Sequence, residues 1–156
     1  MLLYHVSNIE VRQPRLFNQQ RPTDFGSGFY LTSDLEQATR WANRVTKRRK
    51  DGIPVVSAFN VDSVKWDHLK IRSFQMDEDW LEYVFNNRHQ KYIADEWDVV
   101  FGPVADDQTM TTLGLYLDGR IKAYMAIEML LPQKLKDQYC FKTEAALSCL
   151  QFMEAI

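Results

Sequence analysis

Between Asp24 and Thr32 the chain reads Asp-Phe-Gly-Ser-Gly-Phe-Tyr-Leu-Thr, and a helix signal begins at the next residue. Gly26 and Gly28 supply a turn, and the β-prone run Phe29 to Thr32 reads as a strand entered from it. Ser33 with Glu36 three residues on is a capping-box pattern. It opens a helix whose apolar stripe is Leu35, Ala38, Trp41, Ala42 and Val45. Lys47-Arg48-Arg49-Lys50 and then Asp51-Gly52 close that helix as a C-terminus should. A strand passing directly into an amphipathic helix excludes both an all-α and an all-β chain.

The rest of the chain repeats this mixture. Leu2 to Ser7, Val55 to Val61, Asp98 to Phe101 and Gln138 to Lys142 read as strands, and Asn8 to Asp24 as a long loop. Asp77 to Arg88 reads as a helix burying Trp80, Leu81, Val84 and Phe85. Thr109 to Leu117 and Ile121 to Leu131 read as helices, with a closing helix over Glu144 to Met153. No repeat or Ser/Gly-rich linker divides the 156 residues, so one α+β domain over 1–156 is expected. The chain is 46% hydrophobic and 13% aromatic, enough for a packed core. Nineteen Lys and Arg against 21 Asp and Glu leave a net charge of −2, which gives no global polyanion binder. Two cysteines make no disulfide framework, no apolar run reaches the ~18 residues of a membrane span, and the opening residues lack a signal-peptide pattern. A cytoplasmic protein with no membrane partner is the expectation.

Familiar chemistry is missing. His5, His68 and His89 stand in no metal-ligand spacing with each other or with Cys140 and Cys149, so no metal site is expected. There is no phosphate-binding Gly-x-x-x-x-Gly-Lys loop, no Rossmann fingerprint and no Gly-x-Ser-x-Gly elbow. What stands out is polar residues on strands. Period-two alternation sets Leu3, His5 and Ser7 opposite Leu2, Tyr4 and Val6. It sets Gly28, Tyr30 and Thr32 opposite Phe29 and Leu31, and Gln138, Cys140 and Lys142 opposite Tyr139 and Phe141. If the partly polar faces converge, they line a cleft holding His5, Tyr30 and Gln138; otherwise they face water.

Leu3-Tyr4-His5-Val6-Ser7 resembles the Leu-Tyr-His-Gly-Ser/Thr opening of the ADP-ribosyltransferase superfamily. Asp24 to Thr32, followed by Gln37-Ala38 and Trp41-Ala42 on the helix, resembles that superfamily's second motif. More narrowly, the chain is similar to a largely bacterial family of uncharacterised domains. That family shares Asp-Phe-Gly-x-Gly-Phe-Tyr, the pair Asn87-Arg88, the segment Gly102 to Asp107, and Gln138 followed by Phe141 and Thr143.

The resemblance implies a split β-sheet core with surrounding helices and NAD bound in the cleft as substrate. It implies a catalytic triad of His5, Tyr30 and Gln138. His5 would hydrogen-bond the adenosine ribose, the backbone of Val6 would meet the nicotinamide amide, and the Tyr30 ring would stack on the nicotinamide. Gln138 would orient the nicotinamide ribose. Breaking the nicotinamide–ribose bond creates an oxocarbenium-like carbon, so positioning and electrostatics outweigh proton transfer. Ser7, Asp24, Phe25, Gly26, Gly28 and Thr32 are the further NAD-binding candidates. Two departures stand out. Val6 replaces glycine, which suits a backbone role where φ is negative. Gln138 replaces an acid, so a catalytically inactive NAD or ADP-ribose binding module is the alternative. A third reading is a small interaction domain with no ligand. The implied partners are a macromolecular acceptor (protein or nucleic acid) and an antitoxin or regulatory protein, in a bacterial toxin or phage-defence setting. Asp24 also fits a turn role, Arg15 and Arg21 a solvated loop, Asp106 and Asp107 a helix N-terminus, and Cys140 a buried small residue.

Overall fold

The computed structural model describes residues 1–17, 21–90, 96–105 and 109–156. Helices and strands alternate, giving a mixed α+β fold with two sheets. The first sheet has the order β1-β3-β7 and is antiparallel, built from β1 (Leu2–Ser7), β3 (Val55–Val61) and β7 (Leu150–Ala155). The second has the order β2-β6-β5-β4, from β2 (Phe29–Leu31), β6 (Asp137–Phe141), β5 (Val99–Pro103) and β4 (Ile71–Ser73). Pairing is antiparallel except between β4 and β5.

Period-two alternation sorts the side chains into layers. Leu3, Phe59 and Val61 of the first sheet meet Phe29, Leu31, Val99 and Phe141 of the second, forming the inter-sheet core. Helix α1 (Leu35–Arg49) lays Ala38 and Ala42 on the outer face of the first sheet, against Val56, Tyr4 and Val6. Helices α3 (Glu78–Arg88), α4 (Met110–Leu117) and α5 (Ala123–Leu130) cover the outer face of the second. There Trp80, Leu81, Val84, Leu113 and Leu130 pack on Val100 and Cys140. Trp80 is wholly buried, and its indole N–H donates to the Pro103 carbonyl at 3.1 Å, so the polar atom is satisfied inside the core. Two backbone–backbone hydrogen bonds bridge β1 to the end of β2: Tyr4 N–H to the Thr32 carbonyl at 2.8 Å, and Thr32 N–H to the Tyr4 carbonyl at 3.0 Å.

Several local expectations need correction. The closing helix is one turn only, α6 (Glu144–Leu147), after which the chain runs as β7 along β3. Ala146, Leu147, Leu150 and Met153 fit a helical stripe, but Leu150 and Phe152 also alternate, and β3 needs a partner on each edge. Leu150 is buried, while Met153 is 58% exposed. The cap of α1 is Asp34 and not Ser33: the Asp34 carboxylate accepts from Gln37 N–H at 2.7 Å. Ser33 instead donates its hydroxyl to Asp137. Short elements α2 (Ser63–Trp66) and β4 fall in a stretch where the sequence pattern assigns no element. The reading of Asp106 and Asp107 as a helix N-terminus lies outside the described residues. No helix among those described is long and apolar enough to cross a membrane.

Candidate functional site

The glycine turn is built around Tyr30. Its hydroxyl donates to the Gly26 carbonyl at 2.6 Å, accepts from Phe25 N–H at 3.1 Å and lies 3.0 Å from the Thr23 hydroxyl. Gly26 sits at φ +80°, where a side chain would be strained and a Cβ would meet Asn87 Oδ1 at 2.8 Å. Gly28 lets β2 approach β6: a Cβ there would stand 2.4 Å from Cys140 Sγ and 2.8 Å from the Phe141 carbonyl. Burial pushes the Tyr30 phenol well above its usual range, with the nearby Cys140 thiol adding to the shift. Tyr30 is therefore a neutral ring fixed by its own loop, suited to stacking and unsuited to proton abstraction.

His5 lies across the seam between the sheets. Its ring stacks on Phe29 with centroids 4.0 Å apart, and Nδ1 is 2.8 Å from the Tyr30 carbonyl. A carbonyl only accepts, so Nδ1 carries the hydrogen and Nε2 is left as an acceptor. Burial lowers the His5 pKa to about 4; the Tyr30 carbonyl opposes that shift and the Arg49 guanidinium reinforces it. At neutral pH His5 is an uncharged, oriented hydrogen-bond acceptor.

Tyr30 lines two cavities. The first, about 660 Å³, is lined by His5, Ser7, Gly28 and Phe29, with the charged residues Glu10, Arg12, Arg15 and Arg49. The second, about 470 Å³, is lined by Val6, Asp24, Trp41, Arg88 and Gln138, with Arg44 and Arg48 of α1. Both volumes fall in the usual range of ~300–1,000 Å³ for ligand sites. The triad expected in one cleft is thus divided: His5 lines the first cavity, Gln138 the second, and Tyr30 both.

Val6 reaches the second cavity along a strand edge. Both backbone groups of Tyr4 point away from β3 to Thr32. Alternation sends those of Val6, two residues on, out along the same edge beyond the bridge. Lys50 and Gln90 are the non-glycine residues with positive φ among those described, so Val6 keeps a negative φ. Valine in place of glycine is compatible with a backbone contact here.

Gln138 is 5% exposed and donates its amide Nε2 to Asp24 Oδ2 at 2.9 Å. Asp24 Oδ1 takes Arg88 Nε at 2.7 Å and its terminal nitrogen at 2.5 Å. Asp137, next in sequence, points to the other face, where it accepts from Thr32 Oγ1 and Ser33 N–H at 3.1 and 2.9 Å. Gln37 Nε2 donates to Thr32 Oγ1 at 3.0 Å and to the Asp137 carbonyl at 3.1 Å, closing a buried network behind the site.

The remaining candidates separate. Ser7 and Gly28 line the first cavity and Asp24 the second. Gly26 borders a smaller cavity with Asn87. Phe25 is wholly buried against Phe74 and Tyr83, so its side chain belongs to the core and not to a ligand site. Thr32 is likewise wholly buried, a hub of the Asp137 network rather than a cleft residue. Cys140 is buried, as the sequence suggests. Trp41 and Val45, expected to bury with the α1 stripe, line the second cavity instead. Arg88 and Arg49 enter the site from helix C-termini, where a basic side chain reads first as a dipole partner.

Neither the curated proteins nor the solved structures include a match to this chain. Residues 1–152 match the model of a family described as a protein of unknown function, DUF3990. With nearly all of its length matched, the chain belongs to that family.

Proposed function

We propose that the protein is an NAD-dependent mono-ADP-ribosyltransferase, a cytoplasmic enzyme that cleaves nicotinamide from NAD and passes ADP-ribose to a macromolecular acceptor. The observation that carries the reading is the pair of cavities that both have Tyr30 in their lining, with His5 in one and Val6 and Gln138 in the other. NAD is two nucleotides joined by a pyrophosphate, and two cavities that share a lining residue suit the two ends of such a ligand. The adenosine end lies in the first cavity, where a ribose hydroxyl donates to His5 Nε2. The nicotinamide end lies in the second, its amide on the exposed backbone of Val6 and its ring against Tyr30. The resemblance of the His5 and Tyr30 motifs to the ADP-ribosyltransferase superfamily supports the same placement.

In the reaction the bond between nicotinamide and ribose C1′ breaks, and its electron pair leaves with a neutral nicotinamide. The Gln138 amide holds a hydroxyl of that ribose while positive charge develops on the sugar. A nucleophile of the acceptor then bonds to C1′ and loses its proton. One observation favours a second reading, an NAD or ADP-ribose binding module without turnover: Gln138 carries no charge, and the nearby Asp24 is already paired with Arg88.

The test is incubation with NAD, following melting temperature and free nicotinamide together. Saturation at 100 times the dissociation constant raises stability by about 2.7 kcal/mol. A shift with nicotinamide release supports the transferase, and a shift without release, even with cell lysate present, supports the binding module. No shift at millimolar NAD overturns both.

A further inference from the structure

Gln138 and Asp24 are 114 residues apart in sequence, yet they share a buried hydrogen bond of 2.9 Å at the floor of the second cavity. A carboxylate has acceptors only, so it fixes which end of the amide faces it. The Gln138 nitrogen must point at Asp24, and the carbonyl oxygen is the group left for the cavity. Arg88 holds the other oxygen of Asp24 through two nitrogens, at 2.7 and 2.5 Å, which pins the carboxylate in that orientation. Among the described residues no buried side-chain polar atom lacks a partner, so the network is closed.

We propose that Asp24 and Arg88 are positioning residues that hold the Gln138 amide with its carbonyl oxygen toward the cavity, so that this site is built for glutamine and excludes glutamate. The geometry stands by itself; its consequence for catalysis rests on the function proposed above. A carboxylate at 138 faces the Asp24 carboxylate, whose Arg88 is turned to the other oxygen, while Arg44 and Arg48 of α1 line the same cavity; two acids in direct contact cannot both ionise freely. Restoring an acid at 138 alone therefore harms the site. The substitution Asp24→Asn reverses the logic. Its new amide nitrogen turns toward position 138, which suits a glutamate there and flips the native glutamine so that it offers a donor to the cavity.

The experiment compares wild type, Gln138→Glu, Asp24→Asn and the double variant. The first readout is melting temperature from pH 5 to 8, which needs no NAD. Gln138→Glu should lose stability relative to wild type as pH rises, and the double variant should remove that extra slope. The second readout is the kcat for nicotinamide release. Each single variant should lose about tenfold or more, and the double variant should recover most of the loss. Equal pH slopes for wild type and Gln138→Glu, or single losses that simply add in the double variant, overturn the proposal. If wild type neither releases nicotinamide nor responds to NAD, the functional reading fails while the pH slopes still decide the network.

Discussion

The two cavities that Tyr30 lines hold their charges differently. In the first, an uncharged His5 rests on Phe29, the exposed Arg49 donates to the neutral oxygens Asn8 Oδ1 and Ser7 Oγ, and the Arg12–Glu10 ion pair is open to solvent. In the second, a carboxylate that is 6% exposed is locked between Arg88 and Gln138. A neutral acceptor on an aromatic ring can bind a hydroxyl without paying for a buried charge. A buried ion pair is hard to assemble and costly to break, so its presence points to a demand for orientation. The first cavity is built to hold, the second to aim.

The largest expected difference is in stability. Arg88→Ala leaves Asp24 as a buried, unpaired charge and should cost about 3–5 kcal/mol. Arg49→Ala removes an exposed guanidinium with neutral partners and should change stability by less than about 1 kcal/mol. Urea denaturation of both variants checks the contrast. Similar losses would mean that the two cavities are not built differently.

Next comes the division of labour. Gln138→Ala removes a preorganised contact at the reacting sugar and should lower the kcat for nicotinamide release by about 10²–10³. His5→Ala removes a ground-state hydrogen bond worth roughly 0.5–1.5 kcal/mol, so KM should rise by up to about tenfold with kcat retained. Steady-state kinetics on NAD separates the two. A kcat loss confined to His5→Ala would exchange the roles of the cavities.

The third contrast is in pH. The His5 pKa falls from 6.5 in the unfolded chain to about 4 in the fold. Between those values the unfolded chain binds more protons, so stability rises with pH through the window. The contribution is complete above about pH 6.5 and gone below about 4, and a shift of this size amounts to roughly 3 kcal/mol. His5→Gln keeps a polar group but cannot titrate, so its unfolding free energy should vary less with pH than that of wild type. Affinity for NAD should stay flat from pH 8 to 5, because His5 remains neutral throughout. A fall in affinity near pH 6.5 would show that His5 titrates as it does in water.

How far the sequence foretold this differs along the chain, for physical reasons. Period-two alternation is local, so it separates Gln138 from Asp137 and sends His5 and Val6 to opposite sides of one strand. The glycine turn before Phe29 is equally local, and its steric reasons are met at Gly26 and Gly28. The bond from Gln138 to Asp24 and the pairing of β7 with β3 are set by tertiary contact, which no short window of sequence contains. Leu150 to Met153 satisfy two periodicities at once, and only the open edge of β3 decides between them. Phe25 lies beside the turn glycine and reads as a site residue, but one position along the chain carries it from the cleft into the core.

The smallest effect bears on the residue that lines both cavities. Tyr30→Phe keeps its ring and removes only the hydroxyl that ties residues 23–30 together. Its bond to the Gly26 carbonyl at 2.6 Å, the one it accepts from Phe25 at 3.1 Å and its contact with the Thr23 hydroxyl at 3.0 Å are all lost. Loss of such contacts costs about 0.5–1.5 kcal/mol each, less where water can replace the partner. The turn loosens, but the His5 contact survives, because His5 bonds the Tyr30 backbone carbonyl and not its side chain. The melting temperature should fall by a few degrees, and KM and kcat for NAD should move together by less than about tenfold. Tyr30→Ala also removes the ring, so it should abolish nicotinamide release and cost more stability than Tyr30→Phe. If Tyr30→Phe were as inactive as Tyr30→Ala while equally folded, the hydroxyl and not the ring would be the part of Tyr30 that the reaction uses.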